Sequence, residues 1–106
     1  MQSADKVYDV QVADTAWEQI IEHARFLANV SEAVANSLVD EFIEKSAALN
    51  IIPERYPWLV HDMIPFQKYR KLFFGKYYLA PFEIRGKIVF ISTVVDCRQD
   101  YAWLLN

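Results

Sequence analysis

Three prolines decide where this chain can be helical. Pro53, Pro57 and Pro65 follow one another closely. Each lacks a backbone donor and pushes the residue before it toward extended geometry. Residues 51–65 therefore read as a loop, with Ile51, Ile52, Tyr56, Trp58 and Leu59 as apolar anchors. The hydrophobic period differs on its two sides.

Upstream, Tyr8, Val10 and Val12 alternate with Val7, Asp9 and Gln11. That period of two predicts a short strand with one buried face. Trp17, Ile20, Ile21, Ala24, Leu27 and Ala28 then recur at helical spacing, with Glu18 and Glu22 on the wet side. They predict an amphipathic helix capped by Asp14 or Thr15 and ending near Asn29. Ser31 offers a second N-cap. Val34, Ala35, Leu38, Val39, Phe42 and Ile43 carry a second helix on to Leu49, with Asn50 as its terminator. A connection of about two residues makes the helices an antiparallel hairpin.

Downstream, residues 68–74 predict a strand, Gly75-Lys76 a turn, and residues 77–84 a second strand. Arg85-Gly86 is expected to close a two-residue hairpin. Residues 87–95 form a third run, apolar except for Ser92 and Thr93. Such a run suits a strand that is central or covered on both faces. Pro81 interrupts the middle strand and calls for a bulge, or for a nitrogen that faces no neighbour. Strand, helix, helix, loop and three-strand meander together give an α+β fold. A helical pair would lie on one face of a largely antiparallel sheet, with residues 1–106 as a single domain.

Composition narrows the function classes. Hydrophobic residues make up 54% of 106, with 2 Gly and 4 Pro, which excludes a disordered tail. No apolar run approaches the ~18 residues of a membrane span. The opening MQSADKVYDV has no apolar signal core. A soluble cytoplasmic protein without membrane partners is expected. One cysteine permits neither an intrachain disulfide nor a zinc knuckle. No metal and no cofactor are expected. The net charge of −3 conceals an asymmetry. Residues 1–50 carry nine acids against three bases, and residues 51–106 five against eight. A two-faced molecule follows, whose positive side suits a polyanion or an acidic protein segment.

Several pieces in this order resemble the RelE/ParE superfamily, the toxin halves of bacterial type II toxin–antitoxin pairs. They are the Tyr8-x-Val10-x-Val12 strand, the helical hairpin, Ile52-Pro53, the Tyr69-Arg70-Lys71 strand, the hairpin over residues 77–95, and Val-Val-Asp-Cys-Arg-Gln-Asp-Tyr at 94–101. The resemblance covers nearly the whole chain. It implies a small sheet cradling the helical hairpin, and a cognate antitoxin that wraps and suppresses the toxin. It also allows a homodimer. RelE-like members cleave mRNA in the ribosomal A site, whereas ParE-like members poison DNA gyrase.

A nuclease of this kind needs a proton acceptor, a proton donor and cations for the transition state. The matching positions are Lys68, Arg70, Arg98 and Tyr101. Lys68 and Arg70, two apart on a strand, are expected to share a face that Arg98 could reach. Lys71, Lys76, Trp103 and Leu104 are the positions expected to meet the target or the antitoxin. Several features depart from the nuclease pattern. The chain is acidic overall, Asp96, Gln99 and Asp100 surround Arg98, and His23 and His61 lie outside the matched motif. The expectation is therefore gyrase poisoning ahead of mRNA cleavage, with a non-toxic interaction module as a third reading. Whether the chain is an enzyme stays open. Cys97 reads as a small residue closing a strand, and His61-Asp62 as solvated loop side chains. The aromatic set Tyr69, Phe73, Phe74, Tyr77, Tyr78 and Phe82 reads as core or partner contacts rather than a base-stacking platform.

Overall fold

A computed structural model describes residues 7–98. Its elements are β1 (Asp9–Val12), α1 (Asp14–Ala28), α2 (Glu32–Ala47), β2 (Arg70–Phe74), β3 (Tyr78–Arg85), β4 (Ile88–Ile91) and β5 (Val95–Asp96). The two helices form the expected hairpin. Strands β2, β3 and β4 form the expected antiparallel meander. The sheet order is β1-β4-β3-β2, with β5 also paired to β3. Strand β1 runs parallel to β4, Asp9 opposite Ile88, and a parallel pairing requires the long crossover that the helices and loop supply. Among the described residues no helix is long and apolar enough to cross a membrane.

Local chemistry explains most boundaries. The N-cap of α1 is Ala13, which makes no side-chain cap bond, rather than Asp14 or Thr15. Asp14 instead sits in the first turn, where the positive end of the helix dipole favours a carboxylate. Ser31 caps α2 as expected, accepting from the Val34 N–H at 3.3 Å. α2 stops at Ala47, and one 3-10 turn (Ala48–Asn50) follows. Ile52, just before Pro53, is left-handed at φ 49°. For a β-branched residue that is a strained conformation.

The expected Arg85-Gly86 turn is displaced by one residue. Arg85 pairs with Ile88, so Gly86 and Lys87 form the loop and Gly86 supplies the positive φ. At the other hairpin, Phe74 pairs with Tyr78 around Gly75, Lys76 and Tyr77. Gly75 also donates its N–H to Glu41 at 2.8 Å, and a Cβ there would stand 2.6 Å from the Leu38 side chain.

Pro81 finds the bulge that its ring demands. Lys71, its partner on β2, sends its N–H to Pro57 at 3.0 Å, away from β3. The Pro81 nitrogen therefore points toward the other neighbour. There Phe82 pairs with Ile91 and Leu79 with Val95, so two residues of β3 face three, 92–94. That extra residue divides the single expected strand over 87–95 into β4 and β5. The strand covered on both faces is accordingly β3, buried from Tyr78 to Phe82, whereas Ile88 on β4 is exposed.

The main core lies between helices and sheet. Ala16 and Ile20 of α1 and Leu38 and Phe42 of α2 meet Leu72, Phe74, Tyr78, Ala80, Phe82, Val89 and Ile91. Phe42 is central, its ring 5.1 Å from both Trp17 and Phe74. A smaller cluster covers the opposite face of the sheet. There Leu59 packs on Leu79 and Val95, with Ile64, Tyr69 and Cys97 against them.

Candidate functional site

Arg70 opens β2 and pairs with the core residue Phe82, so it projects to the helical side of the sheet. Its guanidinium donates to two main-chain carbonyls of the proline loop, Glu54 at 2.8 Å and Tyr56 at 2.7 Å. It also stacks on the Trp58 ring, 3.8 Å from the centroid. Main-chain bonds reinforce this clip: Leu59 N–H to Tyr69 at 2.7 Å and Lys71 N–H to Pro57 at 3.0 Å. Tyr8 donates its hydroxyl to Glu54, fastening the same loop to β1's side of the sheet. Both bonds come from the same terminal nitrogen, Nη1, while the buried Nε has no partner among the described residues, and the clip holds the guanidinium against the loop rather than out toward solvent.

Lys68 does not share Arg70's face, because β2 begins only at Arg70. It borders a crevice on the opposite side of the sheet with Tyr69 and Pro81, its Nζ 5.4 Å from the Tyr69 ring centroid. Lys71 also faces that side, 5.8 Å from the Phe73 ring. Lys76 stands in the β2–β3 turn over Tyr77.

Arg98 occupies a third place, beyond β5. Its Nε and one terminal nitrogen reach the two Asp96 carboxylate oxygens at 3.2 and 3.1 Å, and its own N–H bonds the same carboxylate at 2.9 Å. The guanidinium lies 4.4 Å from the Tyr77 ring centroid and is half exposed. Asp96 is buried. Burial alone would push its carboxyl up, but the Arg98 hydrogen bonds and charge, with His23 behind them, hold it below the ordinary carboxylate value. The structure thus disperses Lys68, Arg70 and Arg98, and the shared cationic face expected from the sequence does not form. Tyr101, Trp103 and Leu104 lie outside the described residues.

The fold does bring His23 to the surroundings of Asp96, the carboxylate that Arg98 holds. His23 projects inward from α1, its ring 5.1 Å from Tyr78, whose backbone pairs with Asp96. Gln19, one turn earlier, accepts from the Val94 N–H at 2.7 Å and from Thr93 at 3.1 Å, which pins the bulged segment to α1. His23, Tyr77, Tyr78, Asp96 and Arg98 thus form a polar corner at one end of the sheet. Sequence reasoning set His23 aside as distant from the motif. The signal available was its position, three residues after Ile20 and four before Leu27, on the side of α1 that faces the core. Cys97 packs in the smaller apolar cluster, and burial with the nearby Asp96 pushes its thiol up, so it is no ready nucleophile.

Asp96 gives a pH test of this corner. A carboxyl depressed in the fold stabilises above its unfolded value of about 3.9, and that contribution disappears as pH falls through the folded value. Chemical denaturation at pH 7 and at pH 3 should show Asp96→Asn weakening the neutral-pH fold and flattening the acid loss. An unchanged acid slope would contradict the assignment.

A two-layer α+β domain with this element order defines a recognisable fold. It is shared with a chain of the chromosomal ParDE TA system from P. aeruginosa, at a TM-score of 0.66 and 17% identity, over 86% of this chain and 97% of that one. The chain matches no protein-family model and no curated protein.

Proposed function

We propose that this chain is the cytoplasmic toxin component of a type II toxin–antitoxin pair, neutralised by a cognate antitoxin, and that it is ParE-like, poisoning DNA gyrase rather than cleaving mRNA. Likeness of fold to the ParDE chain, over nearly all of that chain, supports the toxin reading. The dispersal of the cations carries the choice of target. Arg70 is engaged by carbonyls, Lys68 lies across the sheet, and Asp96 neutralises Arg98. Metal-free cleavage of RNA requires converging cations, whereas binding gyrase does not. The polar corner is the observation that favours the second reading, a ribosome-dependent endonuclease, since it gathers a histidine and an arginine around one carboxylate.

Induced expression without the antitoxin tests both. Growth arrest with DNA breaks and an SOS response is the expected result. Arrest with transcripts shortened on ribosomes would move the assignment to the nuclease. Unimpaired growth would leave an interaction module of this fold.

A further inference from the structure

The loop between Trp58 and Lys68 carries a crest of large apolar side chains in water. Val60 is 78% exposed, Met63 80% and Phe66 88%. Scattered exposed hydrophobics need no explanation, but a group concentrated on one short segment marks an interaction surface. The segment is held in place at both ends. Leu59 and Ile64 are anchored in the smaller cluster, the Arg70 clip and the Trp58–Arg70 bridge fix its start, and Ile64 N–H bonds the His61 carbonyl at 3.0 Å. A crest already ordered loses little freedom on binding.

Two open crevices flank it, of about 320 and 280 Å³, and share the walls Leu59, Ile64 and Pro65. Each is lined mainly by apolar side chains, which suits one bulky side chain apiece. Charge then selects the visitor. Lys68 borders the second crevice, and Lys71 stands on the same outer face, opposite Pro81. Neither lysine is in an ion pair among the described residues. On that face Glu83 is taken by Arg85 at 2.6 Å, and Asp62 lies in the other crevice.

We propose that this crest docks an acidic amphipathic segment of a partner protein, seating two apolar anchors in the crevices and setting carboxylates against Lys68 and Lys71. If the toxin reading holds, that segment belongs to the antitoxin, and this identification rests on that reading.

The probe is a synthetic helical peptide with leucine and phenylalanine four residues apart and glutamates beside them, against a twin in which lysine replaces every glutamate. Binding is followed through backbone amide shifts of the ¹⁵N-labelled full chain. The acidic peptide should shift residues 59–68. Val60→Ser/Phe66→Ser, at exposed positions that leave the core intact, and separately Lys68→Glu should each weaken it about tenfold or more. Equal binding of the lysine peptide, shifts elsewhere, or none would overturn the proposal. So would self-association of the free chain abolished by Val60→Ser/Phe66→Ser, which would make a second copy the occupant. Co-expression separates this proposal from the toxin reading. Val60→Ser/Phe66→Ser should still arrest growth but escape relief by the antitoxin, and a harmless unaltered chain would sink the toxin reading while the peptide result stands on its own.

Discussion

Arg70→Ala is expected to lower the unfolding free energy by about 2–3 kcal/mol, because two charge-assisted hydrogen bonds and a stacked ring are lost together. The Glu54 and Tyr56 carbonyls would lose their donor, and Trp58 would lose the cation on its face. Arg70→Lys should recover only part of this, since an ammonium lacks the planar fork that both donates and stacks. Urea denaturation measures the loss, and amide exchange locates it in residues 53–59. The point bears on function. If Arg70 served a reaction instead, the alanine variant would keep its stability and lose only activity. Activity that falls in step with the loss of folding, and returns on cooling, is the expected pattern.

Phe42→Ala is expected to cost more, about 3–5 kcal/mol, as for large aromatic truncations in close-packed cores. Phe42 is fully buried at the crossing of α2 with the sheet, touching Trp17 on α1 and Phe74 on β2. Truncation would open a cavity between the helical pair and the strands. For a domain whose whole stability is on the order of 5–15 kcal/mol, such a loss leaves a substantial unfolded population on warming. A thermal scan giving the variant a transition within a degree or two of the parent would show that the layers do not depend on this ring.

Much of this architecture was legible in hydrophobic period alone. The inward set Tyr8, Val10 and Val12, the two helical stripes and the meander each follow from spacing that a short window contains. What escaped depends on distant partners. Nothing near Asp9 announces that its neighbour is Ile88, or that the neighbour runs in the same direction. Pro81 called for a bulge but not for its place, which the register of β4 and β5 fixed at 92–94. The Arg85-Gly86 turn slipped by one residue because a glycine can serve at either position of a two-residue loop. Site residues were read less well than the fold. A strand drawn from residue 68 put Lys68 beside Arg70. Beginning at Arg70, as it does, the strand leaves the lysine free to cross to the other side. The carbonyls that hold Arg70 belong to main chain of the preceding loop, and backbone acceptors leave no trace in side-chain identity.

The pairing of β1 with β4 also bears on the protein's birth. During synthesis the first strand emerges well before its hydrogen-bonding neighbour, with both helices, the proline loop and two strands made in between. Until then Tyr8 can meet Asn50 and Glu54, but β1 lacks the strand that completes its hydrogen bonds. Completion of the sheet therefore waits for β4, which bridges β1 and β3. A ribosome stalled before Ile88 would hold a polypeptide that lacks its final form, and with it any activity that form confers.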